Sequence, residues 1–399
     1  MKEMICNRGS MAVNKSRFAV LGLALLVLVL AAGVIYGSGW IMNATTNGPA
    51  ESDDSELTLD QRIDEMIEGM STTEKVGQLV MIGVHGTEMD EDIRTQLRQF
   101  HFGGVILFDR NIKSTEQVQA FVQSLQDTAQ GEGREPAPLF IGIDEEGGQV
   151  VRARSVIAPP PSQHEVGLVG KPESARRWAT RTSAQLKRLG INVNFAPVAD
   201  IGSGKGRSYS DDPQVVADFV AAAADGYTQR GMIYALKHFP GIGRGQVDSH
   251  DELSSIKASR SELEQSDLVP FRQLIGQESA ENYFILVSHY IYPALDKTQP
   301  ASQSHAIMTD LLRQELGYEG VIITDDMEMG ALAKHKPFRQ MGVDAILAGA
   351  DMVMMCHEYQ HQQDVYMGIL EAVKSGKISE ERLDESVRRV LKMKLTHFE

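Results

Sequence analysis

From residue 57 to residue 399 the chain alternates short apolar runs with longer amphipathic stretches. The candidate strands are Gln78–Val84, Gly104–Phe108, Leu139–Asp144, Val193–Val198, Ile233–His238, Phe284–His289, Val321–Thr324 and Met352–Met355. Most are continuous apolar runs, the pattern of parallel strands buried on both faces. Helix-like segments lie between them at Thr115–Gln130, Glu173–Leu189, Asp212–Arg230, Ser261–Gly276 and Ser304–Leu316, and Ser379–Lys394 reads as a closing helix. Eight strands alternating with helices predict an α/β fold, a (β/α)8 TIM-like barrel with insertions; a doubly wound open sheet is the alternative. Asp144, Asp200, Lys237, His238, His289 and Asp325 each stand at or just past the C-terminal end of a candidate strand. In a barrel those ends converge on the face where catalytic residues lie.

The N-terminal segment has a different pattern. Phe18 to Tyr36 is an unbroken apolar run, and Gly37–Met42 extends it. At about 1.5 Å per residue it is long enough for a hydrocarbon core of roughly 30 Å. Basic residues precede it and an acidic stretch follows, so the positive-inside rule puts residues 1–17 in the cytoplasm and residues 51–399 outside. The expected organisation is a basic N-terminus at 1–17, a transmembrane anchor at 18–42, a polar tether at 43–56 and one globular domain at 57–399. A signal peptide cleaved after secretion is the competing reading. No cysteine follows the run closely, which argues against a lipid anchor at that place.

Composition narrows the function classes. The apolar fraction is 42% and the aromatic fraction 6%, ordinary for a globular protein. The net charge is −15. Residues 1–50 carry four basic side chains and one acidic one, so the remainder stands at −18. That argues against binding of nucleic acid by phosphate neutralisation. Cys6 and Cys356 are the only cysteines, too few for a disulfide scaffold or a cysteine-rich metal site.

Four segments carry candidate chemistry. IGIDEEGGQVVRA (Ile141–Ala153) places Asp144 at a strand end, where an ionised carboxylate, an acceptor only, can grip two hydroxyls of a sugar. A solvated loop or a metal site competes for the three acids. The pair Gly147–Gly148 permits a tight turn and close approach of a ligand. GRSYSDDP (Gly206–Pro213) offers Arg207, whose planar fork binds a hydroxyl, carboxylate or carbonyl, although a surface arginine is the commoner case. ALKHFPGIGRGQVDSHDEL (Ala235–Leu253) ends a strand on Lys237 and His238, then runs through a glycine-rich loop able to move over a pocket. The loop delivers Asp248 and His250, a carboxylate and an imidazole spaced for acid/base work. Metal ligation by Asp248, His250 and His238 and a plain polar loop are equal competitors. GVIITDDMEMGAL (Gly320–Leu332) ends a strand on Asp325 and Asp326. Asp325 at that place can act as a nucleophile, and two adjacent acids can equally bind Mg²⁺ or Ca²⁺.

Together, in this order, IDEEGG, GRSYS, KHFPGIGRGQVDSH and ITDD resemble the family 3 glycoside hydrolases, in particular the single-domain NagZ-type β-N-acetylhexosaminidases. VSHYIYPALD (Val287–Asp296) and AGADMVMM (Ala348–Met355) are similar to that family too. The resemblance covers about residues 57–399. It implies a retaining exo-acting enzyme on β-linked N-acetylglucosamine, with Asp325 as nucleophile, His250 as general acid/base and Asp248 as its partner. It further implies sugar binding by Asp144, Arg152, Arg207, Lys237 and His238; His289 is added as a candidate from its strand-end position. No metal or organic cofactor is implied. A peptidoglycan-type glycan is the expected substrate, and a monomer the expected state. Ile242 and Arg244 depart from the family's loop pattern. The alternatives are a β-glucosidase or β-xylosidase, a phosphorylase, an inactive glycan-binding protein, and, without the resemblance, a metal-dependent hydrolase.

Overall fold

A computed structural model describes residues 57–130, 137–202, 206–245, 254–334 and 336–398. The expected membrane segment at 18–42 and the pair Asp248 and His250 lie outside the described residues. Among the described residues no helix is long and apolar enough to cross a membrane.

Ten short strands form among the described residues. They are β1 (Val80–Gly83), β2 (Gly104–Leu107), β3 (Phe140–Ile143), β4 (Glu145–Gly147), β5 (Val150–Val151), β6 (Val193–Asn194), β7 (Ile233–Phe239), β8 (Tyr283–Val287), β9 (Ile322–Asp326) and β10 (Met352–Met355). Eight of them close a barrel in the order β1-β10-β9-β8-β7-β6-β3-β2. Every pairing in that barrel is parallel. The open sheet is therefore ruled out, and all eight expected strands are present. Beyond the eight expected strands, β4 and β5 form a separate antiparallel hairpin directly after β3.

Strand alternation sorts the core into two shells. Met81, Ile106, Phe140, Val193, Ile233, Ala235, Phe284, Leu286, Ile323, Met352 and Met354 fill the barrel interior. Their strand neighbours Val80, Ile82, Val105, Ile141, Tyr234, Ile285, Ile322 and Val353 face the helices. The C-terminal helix Glu380–Phe398 adds Val390 and Met393 to the interior cluster, so it plugs the barrel floor. Lys394 is wholly buried there, donates to Gln78 Oε1 at 2.7 Å and lies 4.9 Å from the Phe140 ring centre.

The helices fall close to their expected bounds at Thr115–Gln130, Glu173–Arg188 and Pro213–Thr228. The expected helix at 261–276 is instead an α turn, Arg260–Glu262, a π turn, Leu263–Asp267, and an α-helix, Val269–Ile275. Pro270 near the start of the last piece has no N–H to continue the preceding ladder, so the helix restarts there. Residues Leu57–Glu399 form one compact unit with its own closed core, the requirement for a domain that folds by itself.

Candidate active site

The alternation that fills the barrel also aims the chemistry. Ile233 and Ala235 point inward, so Lys237 points inward one step higher; Ile323 sets Asp325 in the same way, and Phe140 sets Asp144. Lys237, Asp325 and Asp144 are thus placed on one face by the same periodicity. The β7–β8 register shifts between Lys237 and Phe239, and the Lys237–His238 peptide is cis. Lys237 and His238 are both buried and both turn toward the mouth.

Glu146 is the hub of this mouth. Arg207 grips it with two parallel bonds, Nε to Oε2 at 2.9 Å and Nη2 to Oε1 at 2.8 Å. Lys237 Nζ stands 2.7 Å from the same Oε1 and donates to Asp144 Oδ1 at 2.8 Å. Burial alone would raise the Glu146 pKa, but Lys237 and Arg207 outweigh it and hold the carboxyl well below the usual range. Burial likewise opposes the charge on Lys237, and Asp144 and Glu146 overcome it, so the ammonium persists. Arg152 reaches toward Asp144 at 3.9 Å.

His238 is fixed from both sides. Its Nδ1 donates to Asp200 Oδ2 at 2.7 Å, and Nε2 lies 3.4 Å from Arg207 Nη2 as the acceptor. Asp200 Oδ1 also accepts from the backbone of Ile242 at 2.8 Å. One buried carboxylate therefore holds both the imidazole and the first turn of the loop beyond β7.

Asp325 has the ionised form a nucleophile needs. Burial works against it, and His238, His289, the Asp326 amide and Lys237 prevail, so its pKa lies below the ordinary value. The Asp326 amide donates to Asp325 Oδ1 at 2.9 Å. His289 stands beneath rather than on the rim: its Nε2 donates to the Asp326 carbonyl at 2.9 Å and its Nδ1 accepts from Ser302 at 2.7 Å. Only 1% of it is exposed, so it props the β9 turn and offers a sugar no ring nitrogen. Asp326 itself faces away from the barrel interior, accepting from the Glu328 and Cys356 amides and pairing with His357 at 3.3 Å.

Two readings of the glycine loops change. Gly147, with φ +105°, approaches the Pro161 carbonyl, which a Cβ would meet at 2.1 Å. The close approach there is to the chain's own backbone, not to a ligand. A Cβ on Gly243 would sit 1.7 Å from the Ile201 carbonyl, and Tyr292 donates to the Gly241 carbonyl at 2.8 Å. Residues 241–245 are therefore packed down. Arg244, one of the two departures from the family pattern, donates to the fully buried Asp267 at 2.9 Å. Cys356 is a buried free thiol whose pKa is pushed well up, first by burial. Among the described residues no group of three His, Cys, Asp or Glu side chains is arranged to hold a metal ion.

Glu146, Asp200 and Ser302 were not singled out as binding residues from the sequence. For Glu146 a signal was present: it lies two residues from Asp144, hence on the same face. Asp200 and Ser302 meet their histidines across 38 and 13 residues of chain, which no local pattern reveals.

At the C-terminal ends of its strands the closed parallel barrel thus gathers a network of cations and carboxylates beside an ionised Asp325. Residues 71–393 match the profile of the glycosyl hydrolase family 3 N terminal domain, and the chain belongs to that family. It is 32% identical over 342 residues to β-hexosaminidase A of Pseudoalteromonas piscicida, covering 77% of this chain and 56% of that protein. It is 36% identical over 289 residues to a β-hexosaminidase of Alkalilimnicola ehrlichii, covering 70% and 80%. Among solved structures, the family 3 β-N-acetylglucosaminidase of Paenibacillus sp. FPU-7 superposes with a TM-score of 0.79 at 37% identity, covering 82% of this chain and 63% of that one. The chain thus spans less than two thirds of the first and third of these relatives.

Proposed function

We propose that this chain is a retaining exo-β-N-acetylglucosaminidase that removes terminal, non-reducing β-linked N-acetylglucosamine from peptidoglycan-type glycans. The observation that carries the reading is the convergence of Asp144, Lys237, His238 and an ionised Asp325 on one barrel mouth, locked by Glu146 and Arg207. Relatives named β-hexosaminidase and β-N-acetylglucosaminidase support the choice of sugar.

In the proposed reaction an Asp325 carboxylate oxygen attacks the anomeric carbon. The leaving oxygen takes a proton from His250, which Asp248 orients. Water then attacks the glycosyl-enzyme with His250 as base, so the configuration is retained. The usual retaining enzyme uses two carboxylates for these steps. An imidazole titrating near neutrality serves both protonation states. Asp144, Lys237 and Arg152 are assigned to the sugar hydroxyls, and Arg207 and His238 to the wall that holds them. The reading also places residues 18–42 in a membrane, with the barrel at 57–399 on its outer side and acting as a monomer.

The test is nitrophenol release from the β-N-acetylglucosaminide and the β-glucoside by wild type, Asp325→Asn and His250→Ala. The expected outcome is a strong preference for the acetamido sugar. Asp325→Asn should lose at least a thousandfold and His250→Ala roughly a hundred- to ten-thousandfold, the range for general acid–base groups. Sugar binding without turnover by the wild type would replace this reading with that of a glycan-binding protein.

A further inference from the structure

Helix Glu173–Arg188, which connects the β4–β5 hairpin to β6, carries a surface the proposed hydrolysis leaves unused. Its sequence, ESARRWATRTSAQLKR, holds five cationic residues and one acid. Arg177, Arg181 and Arg188 fall on one side at helical spacing, and all three are exposed. With Arg176 and Arg230 they line a shallow groove of about 500 Å³. No acid lines this groove among the described residues; Arg176 pairs at its edge with Glu173 at 2.5 Å and Asp225 at 3.7 Å. The salt bridges of this region among the described residues go to Arg176, while Arg177 acts on Glu173 only through its charge at longer range. Like charges four residues apart weaken a helix, so Arg177 and Arg181 are not a device that stabilises this one.

A second observation points to what meets it. Leu168 and Val169, 73% and 55% exposed, are the two most exposed large apolar residues described, and they stand just before the same helix with Lys171 after them. Arg181 also lies over the Trp178 ring at 5.1 Å. A soluble polyanion would use the guanidiniums and have no use for the apolar tip. An anionic lipid surface uses both, headgroups against the arginines and acyl boundary against the tip.

We infer that the Leu168–Val169 tip and the arginine stripe of helix Glu173–Arg188 form a docking face for anionic lipid headgroups. The face lies wholly within the barrel unit and depends neither on the segment at 18–42 nor on the hydrolytic reading.

The test is flotation of the Leu57–Glu399 unit with phosphatidylcholine vesicles, with and without phosphatidylglycerol. Binding is expected only where phosphatidylglycerol is present. It should weaken with salt as the Debye length falls from about 10 Å at 0.1 M to about 3 Å at 1 M. Loss of one arginine should weaken it roughly fivefold. Arg177→Glu, Arg181→Glu and Arg188→Glu together should abolish it. Leu168→Ser with Val169→Ser should leave low-salt binding and remove what survives at high salt. Equal binding to both vesicle types, full binding by the triple variant, no binding at all, or capture by inorganic polyphosphate but not by vesicles would each overturn the inference. Hydrolysis of a soluble nitrophenyl glycoside should be unchanged in every variant, so docking and catalysis are read on separate assays.

Discussion

Glu145 and Glu146 are adjacent in sequence, yet their pKa values move in opposite directions. Glu146 faces two cations and stays charged, whereas Glu145 accepts only the Arg152 and Ala153 amides, both at 3.0 Å, and burial raises its pKa to about 7. Environment rather than residue type assigns each its state. Glu146→Gln would leave the buried Lys237 and the half-buried Arg207 with one carboxylate, Asp144, between them. We expect a stability loss of about 3 kcal/mol in urea unfolding, since breaking a buried pair leaves charge uncompensated. We also expect kcat/KM to fall by roughly a hundredfold, the cost of misplacing groups by about 1 Å. An unchanged kcat/KM would show that the hub does not position the sugar-binding residues.

Among the elements, the segment 241–245 shows what a glycine-rich stretch is for here. Glycine reads in sequence as freedom; in the fold Gly243 is glycine because the Ile201 carbonyl occupies the place of a Cβ. Gly243→Ala is therefore expected to shift the segment and lower both melting temperature and turnover. Arg244→Ala should destabilise by about 1–3 kcal/mol, because Asp267, fully buried with its pKa already raised by burial, loses its guanidinium partner. Arg244→Ala combined with Asp267→Asn should recover part of that loss. If the double variant is no better than the single one, the pair does not anchor this segment.

For the whole molecule, two buried groups tilt stability against pH in opposite directions. Folded Glu145 keeps its proton to about pH 7, whereas the ordinary value is 4.5. Between these the folded state binds more protons, so its contribution is full below the lower value and is lost as pH rises to about 7. Folded Lys394 loses its proton near pH 7 because of burial, against an ordinary 10.5. Between those the unfolded chain binds more protons, so stability rises with pH across that window. The two slopes meet in a shallow minimum near pH 7. Lys394→Met should remove the upper slope and stabilise the neutral protein by about 1–2 kcal/mol, as replacing a buried ion by an apolar side chain often does. Glu145→Gln should flatten the lower slope. Urea midpoints measured from acid through neutral to alkaline pH would check both: a wild-type profile unchanged by Glu145→Gln below pH 7, or by Lys394→Met above it, would show that the group concerned is not shifted.

The sequence by itself determined the barrel, because eight apolar runs separated by amphipathic segments have few other ways to bury both faces of every strand. It also determined the direction of several side chains at the mouth. The alternation that puts Ile233, Ala235 and Ile323 inside carries Lys237 and Asp325 to the rim, and alternation is a local property. Tertiary structure decided the rest, because the rest consists of contacts across long stretches of chain. It turned His289 from a rim candidate into a prop between Ser302 and the Asp326 carbonyl. It made Glu146 the partner of Arg207 across 61 residues and Asp200 the partner of His238 across 38. It packed glycines that read as mobile against backbone carbonyls. A one-dimensional pattern specifies the direction of a side chain, since that follows from the backbone period; its partner and its charge depend on which other elements the closed barrel brings beside it.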